Sequence, residues 1–320
     1  MSISLWNILC NSWKSGHRVA LNIFRFLIPI VIAVKILEES GLIPWLALPM
    51  SPIMALIGLP DEFSLAWASC MLVNIYSGLS VLLALLPQMP AVSVAQMTVF
   101  AVLTLIAHSL VLEIRIAGQC GVSMLFQLIF RLASSVLAAF VLHLIFDGFG
   151  LMQEDAVVLL HIDSSPSLGE WVVQQLVTLA ELYAVICAVM LLQKILDLLQ
   201  ISRFAAWLLG PILRCLGISP RAVSVVVIGF TMGILYGSGV LIQSVHEGQL
   251  SRRDVLCSIS LLGLCHSLIE DSLALALLGG TLWGILGFRI IFTLIFGALL
   301  NFFYPALKRF ALPRNTEAAP

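Results

Sequence analysis

Five ionisable side chains lie inside long apolar segments of this chain: His108, Glu113, His266, Glu270 and Asp271. Placing such a group at the centre of a bilayer costs about 2.5–3.5 kcal/mol on insertion scales, so each marks either a pathway or a paired contact. On an unbroken helix His108 and Glu113 are about 140° apart and share no face, whereas His266 and Glu270, four residues apart, do. Imidazoles and carboxylates gathered near the midplane can bind a polar substrate or relay protons. The structural alternative is that the histidines cross-link helices while Glu113 and Asp271 sit at helix ends near water.

A second set of groups is neutral. Asn74, Tyr76, Ser77, Gly78 and Ser80, and then Tyr236, Gly237, Ser238, Gly239 and Gln243, put donors and acceptors beside backbone that Gly and Ser loosen. Helix-terminal amides there suit an anionic or carbonyl-bearing ligand, and close helix packing by small residues explains them equally well. Lys35, Lys194, Arg131 and Arg289 read as anchors at segment ends. Pairing of Arg131 with Glu113 and of Arg289 with Asp271 is the alternative for the arginines. No metal centre or cofactor is expected: Cys265 and His266 are adjacent and diverge by about 100°, and there is no H-x-x-x-H or C-x-x-C. Neither a G-x-S-x-G elbow nor a P-loop or dinucleotide fingerprint occurs, so no enzyme is expected.

The elements that must position these groups follow from composition and repetition. With 61% hydrophobic and 10% charged residues, a soluble fold could not bury its apolar surface. Residues 63–112 contain no Asp, Glu, Lys or Arg, more than twice the roughly 20 residues one span needs. The bilayer is therefore the expected partner. A net charge of −1 without basic blocks excludes nucleic acid. The seven cysteines lie mostly in apolar segments and form no disulfide framework. Residues 1–18 lack the order of features of a cleaved signal peptide.

Matches recur along the chain at one offset. Lys35-Ile36-Leu37-Glu38 meets Lys194-Ile195-Leu196-Asp197, and Pro52-Ile53 with Gly58 meets Pro211-Ile212 with Gly217. His108-Ser109-Leu110 meets His266-Ser267-Leu268, Glu113 meets Asp271, and Phe130-Arg131 meets Phe288-Arg289. Two copies of one unit are implied. Each has a long helix (19–37; 172–198) and a short Pro-flanked one (45–58; 204–217). A segment broken at Tyr76-Ser77-Gly78 or Tyr236-Gly237-Ser238-Gly239 follows, then the His-Ser-Leu segment, then one starting near Phe-Arg. About 14 residues reach only about 21 Å, so the short helix lies at the interface, and the broken segment folds as a re-entrant hairpin.

Three crossings plus a hairpin per copy is odd, so the second copy enters inverted. Placing the N-terminus in the cytoplasm puts Arg115, Arg203, Arg214, Arg221, Arg252 and Arg253 inside, opposite the acidic linker. A parallel repeat with an even number of crossings is the rival. The expected organisation is a cytoplasmic segment 1–18, repeat one 19–146, an acidic extracytoplasmic linker 147–170 with His161 and a Ser-Ser-Pro turn, repeat two 171–307, and a polar cytoplasmic tail 308–320. The expected fold is an all-α integral protein of a bacterial inner membrane with two inverted repeats.

The stretches 74–83 and 236–241, each followed by a helix bearing His-Ser-Leu, resemble the nucleoside-recognition or Gate domain. That family includes spore maturation proteins A and B, the membrane part of ferrous iron transporter B and, distantly, concentrative nucleoside transporters. The resemblance covers about 19–307 and implies paired interfacial helices and hairpins whose tips hold substrate. Of the family's polar hairpin residues, only Asn74 and Gln243 have the matching chemical type. No soluble GTPase domain is present, which counts against active iron import by this chain alone. The function expected is alternating-access transport of a small polar solute, nucleoside-like by resemblance. The alternatives are a non-transporting component of a membrane assembly and a divalent-metal permease. Homo-oligomerisation and association with other membrane subunits stay open. Transport predicts a hydrated midplane cavity; a structural role predicts dry, closed packing.

Overall fold

The computed structural model describes residues 5–160 and 167–312. His161, the Ser-Ser-Pro turn and the tail from Pro313 lie outside them. Among the described residues the chain is helical, with one isolated antiparallel bridge between Ser93 and Asp155.

The first copy comprises α1 (Leu5–Glu39), α2 (Ile43–Ala47), α3 (Ser51–Leu56), α4 (Phe63–Leu72), α5 (Ile75–Leu85), α6 (Val94–Ile106), α7 (Leu110–Gln119) and α8 (Met124–Phe149). The second repeats that order as α9 (Leu168–Leu198), α10 (Ile201–Cys215), α11 (Pro220–Met232), α12 (Ile234–His246), α13 (Arg252–Cys265), α14 (Glu270–Ala276) and α15 (Arg289–Phe302). A π-helical turn, Trp283–Phe288, leads into α15, and α16 (Tyr304–Ala311) closes the chain.

Among the described residues, six segments are long and apolar enough to cross a bilayer: Trp13–Glu39, Val94–Gln119, Met124–Phe149, Leu168–Leu196, Arg252–Ala276 and Trp283–Phe302. Three fall in each copy. Because three is odd, a chain threading one bilayer carries its second copy inverted with respect to its first. In Val94–Gln119 and Arg252–Ala276 most residues are buried, whereas in the other four a third or fewer are, so the His-Ser-Leu segments form the centre and the rest lie around them.

The breaks in the third segments make hairpins. α4 packs against α5, and α11 against α12. A Cβ on Gly78 would collide with Cys70 and the Ala66 carbonyl, and one on Gly237 with the backbone of Gly229, so each hairpin needs glycine where its arms touch. Arms of 10 to 13 residues are too short to cross a core of about 30 Å.

Three local expectations need correction. The short segment of the first copy is two pieces, α2 and α3, because Pro52 starts a new helix and the backbone turns at 48–50; its counterpart α10 is continuous. The fifth segment starts at Met124, before Phe130-Arg131, because the Ser123 side chain accepts a hydrogen bond from the Phe126 amide and caps the helix there. The His-Ser-Leu segment is itself broken, into α6 and α7 and into α13 and α14. Short helices with one outward apolar face suit the membrane interface: α10 exposes Phe204, Trp207 and Leu208 and buries Leu213.

Candidate functional site

Both central breaks are built alike. Ser109 and Ser267 take left-handed backbone, φ 47° and 48°, which ends the preceding helix and turns the chain into a second one. Each break is stitched to the first arm of its own copy's hairpin. The Ser109 amide donates to the Cys70 carbonyl at 2.9 Å and the Ser109 hydroxyl to the Val73 carbonyl at 3.2 Å. In the second copy the Ser267 amide donates to Gly229 at 3.3 Å and the Leu268 amide to Phe230 at 2.8 Å. Trp67 Nε1 donates to the Ala107 carbonyl at 3.3 Å. Carbonyls orphaned at the arm ends and donors orphaned at the breaks thus satisfy one another, which backbone at membrane depth must do.

Because the helices break, angles drawn on straight helices fail and the polar residues converge. His108 Nε2 and His266 Nε2 are 3.1 Å apart. Glu113 Oε1 lies 3.6 Å from the first and 3.5 Å from the second, and Asp271 Oδ2 lies 3.7 Å and 4.0 Å from them. His108, Glu113 and His266 are buried, and the Asp271 side chain is 13% exposed. Each copy supplies one imidazole and one carboxylate, at equivalent positions of the repeat.

Two arginines that read as segment-end anchors are among the most buried side chains of the protein. Arg131 Nη1 donates to Glu113 Oε2 at 2.5 Å and Nε to the Ile106 carbonyl at 3.0 Å. Arg289 Nε donates to the Leu264 carbonyl at 2.9 Å, and Nη2 to those of His266 (2.9 Å) and, across the copies, Leu105 (3.3 Å). The pairing alternative therefore holds for Arg131, whereas the hydrogen bonds of Arg289 go to carbonyls. The recurrence of Phe-Arg in both copies was the signal for their shared role. One further nitrogen on each, Arg131 Nη2 and Arg289 Nη1, is buried without a hydrogen-bond partner.

The hairpin residues divide. Asn74 Oδ1 accepts from the Ser77 amide at 2.9 Å and the Ser77 hydroxyl at 3.2 Å, so it caps α5. Gly78 and Gly237 serve close packing, as above. Ser80 is buried with its hydroxyl unpaired, and Ser238 is buried. Tyr76 is buried near enough to Glu270 and Asp271 to feel their charge, which joins the first hairpin to the second copy's acids. Glu270 opens α14, and Tyr236 lies in α12 near its start. Gly239 is exposed, and Gln243, near the far end of α12, bonds Glu247 at 2.8 Å. The structure does not bring Gln243 to the centre. Lys35 is held within α1 by Glu38 and Glu39, and Lys194 is exposed.

Two cavities lie away from the cluster. One of about 300 Å³ is lined by Gly58, Ser93, Gln96, His143, Asp147 and Asp155, and another of about 500 Å³ by Leu216, Arg253, Asn301 and Tyr304 among others. They are counterparts in the repeat: Gly58 abuts His143 where Gly217 abuts Asn301. Each flanks the starting end of a central helix, α6 or α13.

No family model matches the chain, and no solved structure does. It is 26% identical over 281 residues, 86% of this chain and 88% of the relative, to the uncharacterized membrane protein YvoD of Bacillus subtilis strain 168. This likeness and the six apolar spans make the chain a multi-pass membrane protein.

Proposed function

We propose that the chain is a secondary transporter or permease, not an enzyme, moving a small polar solute by alternating access between two inverted copies. The observation that carries this reading is the buried cluster of His108, Glu113, His266 and Asp271, drawn in equal parts from both copies. Burying four ionisable side chains and two guanidiniums between the repeats is expensive, and a purely structural interface would be more stable with apolar residues of the same volume. Two discontinuous helices crossing beside two hairpins is how transporters hold cargo at the midplane. On this reading the burial of His108, Glu113 and His266 belongs to an occluded state, and the hydrated midplane cavity that transport predicts belongs to another. The repeat-related cavities are the two vestibules, one acidic and one lined by Arg253. The Gate-domain resemblance supports the same arrangement. Its nucleoside substrate finds no support in Asn74 or Gln243, whose side chains are engaged elsewhere. A bacterial cytoplasmic (inner) membrane is the location we propose, and the charge distribution supports both termini in the cytoplasm.

The test uses single cysteines, His143→Cys or Asn301→Cys, in a variant with the seven native cysteines replaced. In right-side-out membranes an impermeant thiol reagent should label one from outside and the other only from inside. A conformational change should make one more reactive as the other becomes less so. Labelling of both from the same side, or no reciprocity in any condition, overturns the proposal.

A further inference from the structure

We infer that the central cluster is a binding site for one divalent first-row transition-metal cation, held by His108, His266 and Glu113 with Asp271 as fourth ligand. The argument begins with the tautomers. His108 Nδ1 lies 3.1 Å from the Thr104 carbonyl and His266 Nδ1 2.7 Å from the Leu262 carbonyl. A carbonyl oxygen only accepts, so both Nδ1 atoms carry hydrogen, and in the neutral rings both Nε2 atoms carry lone pairs. Those two Nε2 atoms face each other at 3.1 Å. Two lone pairs at that distance make no hydrogen bond; they need an electrophile between them. A backbone carbonyl fixing Nδ1–H and aiming Nε2 inward is also how metal-binding histidines are oriented.

The third corner agrees in distance. The two Nε2 atoms and Glu113 Oε1 form a triangle with edges of 3.1, 3.6 and 3.5 Å. The point equidistant from its corners is about 2.0 Å from each, the bond length of imidazole and carboxylate ligands to zinc, about 2.0–2.2 Å. Asp271 Oδ2, 3.7 and 4.0 Å from the two Nε2 atoms, lies outside this compact group and becomes the fourth ligand only by moving inward. Arg131 holds the other oxygen of Glu113, turning Oε1 to the centre as an outer-shell partner does. The two carboxylates carry two negative charges, those of one dication; Arg131 shares Glu113 with it and Arg289 is met by neutral carbonyls, so the charge of the two guanidiniums is not balanced by these four ligands. Nitrogen ligands disfavour Ca²⁺ and Mg²⁺, which take oxygen, and no thiolate belongs to the cluster to favour Cu(I). Spacing along the sequence expects no such site, because its ligands are 158 residues apart.

This inference deepens the transport reading by naming its cargo and rests on it only for movement, since binding is measured separately. Chelator-stripped, detergent-solubilised full-length protein is titrated with Co²⁺, Zn²⁺ and Mn²⁺, and with Mg²⁺ and Ca²⁺ as controls. One equivalent of Co²⁺ should bind and give the intense visible absorption of a four-coordinate site. His108→Ala and His266→Ala should each weaken binding at least about 100-fold, beyond the about 10–100-fold loss of an outer-shell partner, while His246→Ala, outside the cluster, changes nothing. Should the alanine variants not fold, the wild-type spectrum decides: only the weak absorption of hydrated cobalt, meaning that a proton alone sits between the imidazoles, overturns the site. Binding unaffected by both variants overturns it too. Proteoliposome flux is read apart: binding without flux refutes transport and keeps the site, and flux of another solute without metal binding does the reverse.

Discussion

The two copies share a backbone plan and differ in how each holds its acid. In the first, Glu113 is locked by Arg131, Asn74 caps the second hairpin arm, and the fourth segment continues through ten residues of α7. In the second, Arg289 turns to carbonyls and leaves Asp271 partly exposed; Gly233, at φ 89°, stands where Asn74 does, α14 has seven residues, and a π-helical turn follows. Backbone geometry at the breaks is thus fixed by the repeat, while side-chain pairing is free to diverge. The first copy's acid is held in a buried ion pair, and the second copy's stays partly exposed.

The largest test of this contrast compares the arginines. Arg131→Leu strands a buried Glu113 charge and should cost about 3–5 kcal/mol of stability. Arg289→Leu leaves the Leu264, His266 and Leu105 carbonyls without their donor and removes a positive charge that acts on Asp271 and Glu113 without an ion-pair contact, and should cost less, about 1–3 kcal/mol. Denaturant unfolding in detergent measures both, and equal costs would erase the distinction between the copies. Next come the glycines. Gly78→Ala forces a methyl against Cys70 and Ala66 and should cost about 1–3 kcal/mol. Gly239→Ala meets open space within a helix and should stabilise by about 0.5–1 kcal/mol. Thermal unfolding ranks them, and a destabilising Gly239→Ala would reveal a contact at that exposed site. The smallest effect concerns the cap: Asn74→Ala should cost about 1 kcal/mol, and Asn74→Gly, which copies the second repeat, only a few tenths. A loss of several kcal/mol on Asn74→Gly would show that this side chain does more than cap α5.

Most of the architecture was legible in the chain. Apolar runs longer than a bilayer needs, broken by Gly and Ser at recurring positions, report local conformational preference, and local preference is written residue by residue. The repeat also marked His108, Glu113, His266 and Asp271. What misled was treating the His-Ser-Leu segments as straight helices: a serine in left-handed backbone leaves no hydropathy signature, yet it moves Glu113 onto the side of His108. Gln243 was singled out by chemical type alone, and chemical type does not say where on α12 a side chain stands: it bonds Glu247.

Sequence alone therefore determined that this protein lives in a bilayer, that it is built twice over, and which polar residues the membrane must tolerate, because transfer cost and periodicity act within a few residues. Only the tertiary structure decided that the histidines meet at Nε2, that Arg131 faces Glu113 while Arg289 caps carbonyls, and that one polar cluster draws on both copies. Those contacts join residues up to 184 apart in the chain, and their geometry arises from packing between the copies.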